Sequence, residues 1–340
     1  MVDVKITLPN ETKATNFSNF VDLNDDKFSN VNFLINKNVS NADFWFVFED
    51  LDKDIEKCRV PKNNVIYLNT ETSFKKSHFF QNYMHYYISQ FGTIYSCYPM
   101  SHNNLQNSIP FLPWMIHSNY EASPFDFSNM NYKTLGKNNE LNKTIDLSVI
   151  CSSKKNTENH ELRIEFLKIL KNYFGNKLEW YGAGFKDIER KSKIIFKSKY
   201  HLVLENDYKN NLISEKLFDA FLGESFPIYY GAPNVSDYFP SNSYKPIDIN
   251  NIDESIKTIE NLIDSNTYFE NIDELRDSKS KVLNEYNFIN RILEIVFEKS
   301  KTTTAKEDVT ELYSSQYFWK SHTPIKLKLK RTIKRKLRIN

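Results

Sequence analysis

The sequence predicts an α/β protein of two domains that ends in a basic tail. The chain has 340 residues, which is long for one domain and ordinary for two. Its second half alternates short apolar runs with helical periodicity, a pattern typical of a mainly parallel sheet. Its last fifteen residues contain eight Lys or Arg and no acid, so they differ sharply from the rest of the chain.

Composition indicates a folded body that is not a general nucleic-acid binder. Hydrophobic residues make up 40% of the chain and charged residues 26%, which is enough apolar surface to close a core. The net charge is +2, and without the eight cations of the tail, residues 1–325 carry −6. A nucleic-acid binder needs a basic stripe on its body. We therefore expect no nucleic-acid partner.

The cysteines and the chain start favour a cytoplasmic protein. Cys58, Cys97 and Cys151 are odd in number and lack paired spacing, which argues against a disulfide framework and a cysteine zinc site. The first residues contain no basic segment followed by an apolar run, and no stretch of 18 apolar residues occurs. We expect neither secretion nor a membrane span.

The first predicted domain covers residues 1–130, and a linker without periodicity covers residues 118–144. Apolar runs bounded by Asn, Asp and Pro predict short strands in this domain. A helix is expected between Phe74 and Gln90. The predicted strands are Val4–Leu8, Val31–Ile35, Phe44–Phe48, Val65–Leu68 and Thr93–Cys97.

The second predicted domain covers residues 146–310. Its helices are expected over Asn159–Phe174, before Gly175, and from the N-cap Ser214 to Leu222, before Gly223. Two or three amphipathic helices are expected within residues 252–300. The predicted strands are Asp146–Cys151, Leu178–Tyr181, Tyr200–Leu204 and Phe226–Tyr230.

The segment from Tyr200 to Pro233 contains the clearest chemical signal. An apolar strand ends in Glu205 and Asn206, and Ser214 opens a helix after a polar loop. Ligands of open α/β sheets bind beyond such strand ends. The next two residues of the helix, Glu215 and Lys216, suit a ribose diol and a diphosphate, because free N–H groups and a cation at a helix start favour anions. Alternatively, Ser214 is only a cap and Lys216 a solvated charge.

These residues resemble a known family. The string E-N…S-E-K-L-F-D-A-F…P-I-Y-Y-G-A-P is similar to the donor-binding signature of the α1,3/α1,4-fucosyltransferases, glycosyltransferase family 10. Upstream, Ser152–Lys154, His160, Arg163 and the turn Tyr181–Gly184 resemble the opening of the same domain. The resemblance covers roughly residues 147–250.

The resemblance implies a GT-B fold, in which two Rossmann-like domains face each other across a cleft. It implies that the C-terminal domain binds GDP-fucose and that the N-terminal domain binds most of the acceptor. Carried over by position, Glu205 and Asn206 line the donor sugar, Glu215 contacts the ribose and Lys216 the diphosphate. The implied activity is transfer of L-fucose to a hydroxyl of a glycan that contains GlcNAc, in α1,3 linkage.

Two points of the donor site stay open at this stage. A basic residue upstream is expected to assist the phosphates, and Arg163 and Lys191 are candidates beside Lys186 and Arg190. In addition, the family commonly has a Tyr two residues before the Ser or Thr of the motif, where this chain has Leu212. Contacts that the Tyr ring would make with the nucleotide are therefore in question.

Glu71 is the candidate general base. The strand Val65–Leu68 leads to Asn69, Thr70 and Glu71, which resembles the family's strand ending in a catalytic glutamate. In an inverting transfer one carboxylate deprotonates the acceptor hydroxyl while the nucleotide leaves from the opposite face. The alternative is a loop acid that contacts only solvent.

Metal and dehydrogenase chemistry are not predicted. Asp50-Leu51-Asp52 matches the DxD pattern of manganese-dependent glycosyltransferases, but a solvated loop is the simpler interpretation in a chain with 43 acids. Gly182 and Gly184 begin a GxGxxG motif that Asp187 interrupts. We expect metal-independent chemistry without a cofactor, in which Lys216 and nearby cations neutralise the leaving diphosphate.

The basic tail, residues 325–340, is expected to bind a membrane surface. Its apolar residues recur every four positions among the cations, as in a basic amphipathic helix suited to anionic lipid. The alternative is a disordered basic arm. With such a tail, the protein would lie at the inner face of the cell membrane and act on a lipid-linked glycan, for instance of lipopolysaccharide.

Two rival functions remain open. The first keeps the fold but uses another GDP-sugar, because no residue identified here recognises the 6-position of the sugar. The second is a non-catalytic glycan- or membrane-binding protein whose donor site has decayed, as the substitution at Leu212 suggests.

Overall fold

The computed structural model describes residues 1–8, 19–70, 82–117, 130–137, 142–155, 157–301 and 309–322. By their contacts these residues form two units. The first unit contains residues 1–8, 30–70, 82–107 and 309–322, and the second contains residues 19–29, 108–117, 130–137, 142–155 and 157–301.

The strands are, in chain order, β1 (Val2–Thr7), β2 (Val31–Ile35), β3 (Phe44–Phe48), β4 (Ile55–Arg59), β5 (Val65–Leu68), β6 (Thr93–Ser96), β7 (Leu105–Asn107), β8 (Ile145–Ile150), β9 (Leu178–Tyr181), β10 (Ser198–Leu204), β11 (Phe226–Tyr230), β12 (Lys245–Pro246) and β13 (Val309–Tyr313). The helices are α1 (Asn82–Ile88), α2 (Tyr132–Leu135), α3 (Glu158–Phe174), α4 (Ser192–Ile195), α5 (Glu215–Leu222), α6 (Ile252–Asp264), α7 (Thr267–Glu270), α8 (Ile272–Asn284), α9 (Phe288–Ser300) and α10 (Ser315–His322).

The first unit is built on a parallel sheet with the strand order β2-β1-β3-β5-β6-β7. Its central strands β3 and β5 are buried along their whole length, which explains why they are continuous apolar runs. Strand β1 has β2 on one side and β3 on the other. The chain therefore reverses its direction of winding between β1 and β3, and their carboxyl ends flank the switch point of this sheet.

The second unit repeats this arrangement with the parallel strand order β12-β11-β10-β8-β9. Strand β8 has β9 on one side and β10 on the other, so the switch point lies between β8 and β10. Helix α5 follows β10 and buries most of its residues. The carboxyl end of β10 and the start of α5 are thereby placed where ligands of doubly wound sheets bind.

The boundary between the units differs from the predicted one. It lies at residues 107 and 108 instead of in a linker over residues 118–144, and α2 lies within that predicted linker. In addition, one segment from each end of the chain packs in the unit that the other end mainly forms. Strand β13 pairs with β4 of the first unit, whereas Phe20 packs on Trp114 and Phe288 of the second, with ring centroids 4.9 and 4.8 Å apart.

Within the described part of the chain, every helix is too short or too polar to span a bilayer. The predicted tail, residues 325–340, lies outside the described residues. The part of the predicted helix before residue 82 is likewise outside them, and its remainder forms α1.

Candidate active site

Glu205 is the buried centre of the site in the second unit. It follows β10, is fully buried, and its backbone N–H donates to the carbonyl of Tyr230 at the end of β11, 2.8 Å away. Its Oε1 accepts from the backbone N–H of Ser214 at 2.8 Å, and its Oε2 accepts from the Ser214 hydroxyl at 2.6 Å. The carboxylate therefore fixes the start of α5 to the end of β10.

Lys216 extends this network from the first turn of α5. Its Nζ lies 3.4 Å from Glu205 Oε2, 3.0 Å from Ser214 Oγ and 3.3 Å from Glu215 Oε1. Burial opposes the charge of Lys216, but Glu215 and Glu205 raise its pKa above the ordinary value. Burial would raise the pKa of Glu215, yet Lys216 and Lys191 lower it to about 2. Both side chains therefore carry full charge at neutral pH.

A second ion pair lies one turn further along α5. Lys191 Nζ lies 2.9 Å from Asp219 Oδ2, and Asp219 is almost completely buried. The other oxygen, Oδ1, accepts from the backbone N–H of Met115 at 2.7 Å. Burial raises the pKa of Asp219 to about 6 against the opposing effect of Lys191. Asp219 thus holds the ammonium group of Lys191 beside the helix.

Arg163 reaches the same strand end from α3. Its Nη1 donates to the carbonyl of Leu204, the last residue of β10, at 2.8 Å. Its Nε is buried and has no hydrogen-bond partner among the described residues. Burial raises the pKa of the Cys151 thiol, and the charges of Arg163 and Lys216 oppose that rise. These two cations therefore lie near the end of β8 as well.

A small pocket at the switch point lies beside these groups. It is lined by the ends of β8 and β10 together with Lys191, Lys216 and Asp219. Three cations and three carboxylates surround or support it, namely Arg163, Lys191, Lys216, Glu205, Glu215 and Asp219. A helix start with fixed ammonium groups suits a phosphate-bearing ligand, and a partly exposed carboxylate suits ligand hydroxyls.

The remaining sequence candidates lie around this pocket or face away from it. Asn206 is half-buried directly after Glu205. Lys186 binds Glu179 Oε2 at 3.2 Å and Tyr181 Oη at 3.0 Å, on the turn after β9. Among the upstream basic residues, the structure therefore brings Arg163 and Lys191 to the strand end, whereas Lys186 is engaged elsewhere.

Leu212 and His160 have structural roles in the described site. Leu212 is fully buried, and its carbonyl accepts from the Tyr229 hydroxyl at 3.3 Å. His160 interacts through Nδ1 with Thr157, the N-cap of α3. The position where the family commonly has a Tyr is thus part of the core in this chain.

Two residues of the site were not identified from the sequence. Asp219 had a usable signal, because it stands at the Asp/Asn position of the motif, but its partner Lys191 is 28 residues away. Gly231 is the glycine of the same motif, but the two side chains that require it, Glu205 and Tyr229, could not be named from the local pattern. A Cβ atom there would lie 2.5 Å from Glu205 Cγ and 2.3 Å from Tyr229 Oη, so only glycine leaves room for the Glu205 side chain.

In the first unit, the candidate base Glu71 lies outside the described residues. The two residues before it, Asn69 and Thr70, follow the end of β5, and both donate to the carboxylate of Glu49. Asp50, of the DxD-like string, accepts from the backbone N–H of Ser315 at 2.9 Å and also binds the Ser315 hydroxyl. Asp50 therefore anchors the first turn of α10. The described residues contain no cluster of His, Cys, Asp and Glu suited to a metal ion.

Part of the second unit is similar to a known family of enzymes. Residues 142–287 match the model of the C-terminal domain of glycosyltransferase family 10 (fucosyltransferase). These residues are therefore similar to that domain of the family. The matched segment includes the whole Glu205–Lys216 network, Arg163 and the Lys191–Asp219 pair.

The chain also has a curated relative. Over 77 residues it is 31% identical to the α-(1,3)-fucosyltransferase FucT of Helicobacter pylori. The matched part is 22% of this chain and 16% of FucT, so the chain spans about a sixth of that relative's length.

Solved structures resemble the chain over most of its length. A crystal structure of an α1,3-fucosyltransferase with GDP-fucose is 14% identical, has a TM-score of 0.50, and the match covers 90% of this chain and 92% of that one. The same kind of enzyme with GDP gives 15% identity and a TM-score of 0.52, covering 90% and 91%. The likeness confirms the predicted GT-B fold class.

Proposed function

We propose that the chain is an inverting fucosyltransferase that transfers L-fucose from GDP-fucose to a hydroxyl of a GlcNAc-containing glycan, in α1,3 linkage. The observation that carries the proposal is the cluster of Lys216, Lys191 and Arg163 at the β8–β10 switch point, within the segment that matches the family 10 model. It combines a helix start, fixed cations and a carboxylate, which are the groups that a nucleoside diphosphate sugar requires. The resemblance to structures of α1,3-fucosyltransferases with GDP and GDP-fucose supports this choice of donor.

Each residue at or beside the pocket has a role in this proposal. Lys216 neutralises the diphosphate, because its charge is held beside the N–H groups of α5. Lys191 and Arg163 supply further positive charge. Glu215 accepts from the ribose hydroxyls, since its lowered pKa keeps it ionised. Asn206 contacts the sugar. A cationic pocket of this kind stabilises the negative charge that develops on the leaving diphosphate, without requiring a metal ion.

Glu71 is proposed as the general base. The acceptor oxygen would form a bond to C1 of fucose while its proton moves to the Glu71 carboxylate. The C1–O bond to the diphosphate breaks, and its electron pair leaves with GDP. Because attack and departure occur on opposite faces, the anomeric configuration inverts. Glu71→Gln should lower turnover by about 10²- to 10⁴-fold and leave GDP affinity unchanged, and turnover at the wild-type rate would contradict this role.

Calorimetric titration with GDP, GDP-fucose and UDP tests the donor site. We expect binding of GDP and GDP-fucose but not UDP, and a loss of GDP affinity of at least tenfold in Lys216→Ala. Lys186→Ala is the matched control, because that lysine is well exposed and engaged with Glu179. Preference for UDP would overturn the proposed nucleotide. Binding of GDP without GDP release in the presence of acceptors would favour the decayed-site alternative.

Separate incubations with two GDP-sugars test which sugar the protein transfers. The protein would be incubated with Galβ1-4GlcNAc and either GDP-fucose or GDP-mannose, and released GDP measured. Faster release from GDP-fucose is expected. Release from GDP-mannose alone would assign another GDP-sugar to the same fold.

The basic tail is proposed to hold the enzyme at the inner face of the cell membrane, close to a lipid-linked acceptor. Flotation with vesicles that contain phosphatidylglycerol tests this against vesicles of phosphatidylcholine alone. The full chain should float with the anionic vesicles at low salt, and a chain that ends at residue 324 should not. Equal flotation of both chains would refute a role for the tail.

A further inference from the structure

The C-terminal segment of the described chain returns to the first unit. The second unit ends with α9, whereas residues 309–322 belong to the first unit. Strand β13 pairs with β4 along its whole length. The side chain of Gln90, just after α1, binds the last residue of β13: its Oε1 accepts from the N–H of Tyr313 at 2.7 Å, and its Nε2 donates to the Tyr313 carbonyl at 2.9 Å. Strand β13 is therefore fixed to the first unit on both sides.

Helix α10 follows β13 and is fixed to the same unit. At its start, Asp50 accepts from the backbone N–H of Ser315 at 2.9 Å and also binds the Ser315 hydroxyl. Near its end, Lys320 Nζ lies 3.3 Å from Asp54 Oδ2. The helix ends at His322. The last described part of the chain is thus held against the first unit and not against the second.

Helices α1 and α10 pack together and expose aromatic side chains. Tyr86 of α1 is 45% exposed and Tyr317 of α10 is 41% exposed. Each rests on another ring: Tyr86 stacks on Phe318 with centroids 6.4 Å apart, and Tyr317 lies 4.5 Å from Tyr313. Trp319 is half-buried and packs partly on the core of the first unit. We call Tyr86, Tyr317 and Trp319 the aromatic face.

The acids near the aromatic face are paired with lysines. Asp54 binds Lys320, and Glu311 Oε2 lies 2.6 Å from Lys57 Nζ. His85 is exposed beside Tyr86, with ring centroids 5.9 Å apart. The face therefore presents rings and hydroxyl groups with little net charge, and its ion pairs do not repel an anionic surface.

The sequence after α10 indicates what covers this face. Residues 325–340 hold eight Lys or Arg and no acid, and they begin three residues after His322. A fully extended chain rises by about 3.5 Å per residue, so residue 325 lies within roughly 11 Å of His322. The cations of the tail therefore start close to the aromatic face. Tyr and Trp favour the membrane–water interface, because the ring is apolar and its polar tip stays hydrated, and clustered cations favour anionic lipid.

We propose that the aromatic face lies in the headgroup region of an anionic bilayer, so that α10 and the tail together hold the first unit on the membrane. The choice of partner rests on the proposed role of the tail. The tail alone would leave the orientation of the protein open, whereas the face assigns the contact to one surface of the folded body. The resemblance gives most of the acceptor to this unit, and a lipid-linked acceptor would then be held on the same membrane.

Tryptophan fluorescence locates the contact. Of the four tryptophans, Trp45, Trp114 and Trp180 are buried, and Trp319 is half-buried. The full chain would be mixed with vesicles of equal parts phosphatidylglycerol and brominated phosphatidylcholine, because bromine quenches a ring that it touches. We expect quenching that is lost in Trp319→Phe and that is absent with brominated phosphatidylcholine alone. Quenching that persisted in Trp319→Phe would place the bilayer elsewhere on the protein and overturn the inference.

Partitioning of tyrosine variants measures the strength of the contact. Tyr86→Ser and Tyr317→Ser should each weaken binding to the anionic vesicles by about fivefold, because each loses the burial of roughly half a ring. The double variant should lose about 25-fold if the two effects add. Tyr173→Ser is the matched control: Tyr173 is 55% exposed on α3 of the second unit, and its loss should leave partitioning unchanged. Thermal unfolding verifies that each variant is folded.

The outcomes separate this inference from the proposed role of the tail. Wild-type protein that does not bind the anionic vesicles would overturn both. If a chain ending at residue 324 lost binding while the double tyrosine variant kept it and Trp319 were not quenched, the inference alone would fail. If the truncated chain bound as well as the full chain while the tyrosine variants lost binding, the tail's role would fail and the face would stand.

Two further results would assign the face to another partner. Turnover of GDP-fucose with soluble Galβ1-4GlcNAc, measured without vesicles, should be the same in wild type and in Tyr86→Ser and Tyr317→Ser. A raised KM for the soluble acceptor in these variants would make the face a sugar-binding surface. Self-association of the wild type that the tyrosine variants abolish, measured by light scattering, would make it a contact between two copies of the chain. Either result would overturn the membrane contact.

Discussion

The carboxyl ends of β3 and β10 occupy equivalent places in two sheets of the same winding, yet their carboxylates bind different groups. Glu49 binds Asn69 and Thr70, at the end of the adjacent strand. Glu205 instead reaches Ser214 and Lys216, at the start of the following helix. The shared strand order therefore puts both glutamates directly after a strand at the switch point. Which groups each carboxylate binds depends on the residues around it.

The residue after the adjacent strand accounts for the difference. In the first unit that residue is Asn69, whose amide captures the carboxylate of Glu49. In the second unit it is Gly231, which has no side chain and leaves the space that Glu205 Cγ occupies. With that space open, the Glu205 carboxylate passes to the helix start and fixes a lysine there. One sheet edge thereby becomes a cationic site, suited to a diphosphate, and the other a hydrogen-bonded strand end.

The strongest way to break this comparison is Gly231→Ala. The added Cβ would meet Glu205 Cγ at 2.5 Å and Tyr229 Oη at 2.3 Å, both in a tightly packed interior. We expect a stability loss of about 3 kcal/mol and a loss of GDP binding, because Glu205 can no longer hold Ser214 and Lys216. Thermal unfolding and calorimetry measure the two effects.

Gly175→Ala is the control for this substitution. Gly175 also lies in the second unit, has a φ of +55°, and has no atom within 4 Å of an added Cβ. Its ψ of −125° is also unfavourable for residues other than glycine, so it should lose about 1–3 kcal/mol of stability through backbone strain but retain GDP binding. If Gly231→Ala behaved like this control, the packing of Glu205 against residue 231 would not determine the donor site.

The same contrast explains what could be predicted from the sequence. The donor motif lies within one stretch of chain, and the contacts of Glu205 with Ser214 span only nine residues, so the local pattern identified the strand end, the cap and the lysine. Continuous apolar runs likewise predicted the bounds of β3, β5 and β11. Buried strands of parallel sheets are read easily because neither face needs polar residues.

Features that depend on distant partners could not be predicted. Strand β4 is largely exposed and β13 is mostly half-buried, and their pairing joins residues about 250 positions apart. The Lys191–Asp219 pair and the binding of Asn69 by Glu49 are also set by sheet order. The strand order cannot be predicted from the periodicity of a single segment. The positive φ of Glu49 cannot be predicted from its residue type either, because glutamate rarely adopts it.

Titration of Asp219 should have a smaller effect on stability. It tests how strongly the charged groups of the second unit depend on one another. Its folded-state pKa of about 6 lies above the ordinary value of 3.8, so the folded protein binds this proton more tightly than the unfolded chain. The favourable contribution of the protonated group is complete below about pH 4 and is lost as pH rises through 6. Relative to Asp219→Asn, wild-type stability should fall by up to about 3 kcal/mol over that range.

Unfolding in urea at several pH values between 4 and 7.5, in wild type and Asp219→Asn, measures this difference. Glu215 has the opposite shift, to about 2, so its contribution is present above its unfolded pKa and is lost only as pH falls toward 2. It changes both proteins alike. A difference between the two proteins that stays constant with pH would mean that Asp219 is ionised throughout and that its burial is fully compensated by Lys191.

Substitution of Asp50, the neighbour of Glu49, should have the smallest effect. It tests whether this carboxylate takes part in catalysis or only stabilises the fold. Asp50 holds the backbone N–H of Ser315 at the start of α10. Asn keeps an acceptor oxygen for this N–H, whereas Ala leaves the N–H without its partner, which costs about 1 kcal/mol. Asp50→Asn should therefore keep stability and turnover, and Asp50→Ala should lose about 1 kcal/mol with unchanged turnover. A carboxylate that held a catalytic metal would respond differently, because Asn is a much weaker ligand for Mn²⁺. Turnover that collapsed in Asp50→Asn and recovered with added Mn²⁺ would make this loop a metal site and would overturn metal-independent transfer.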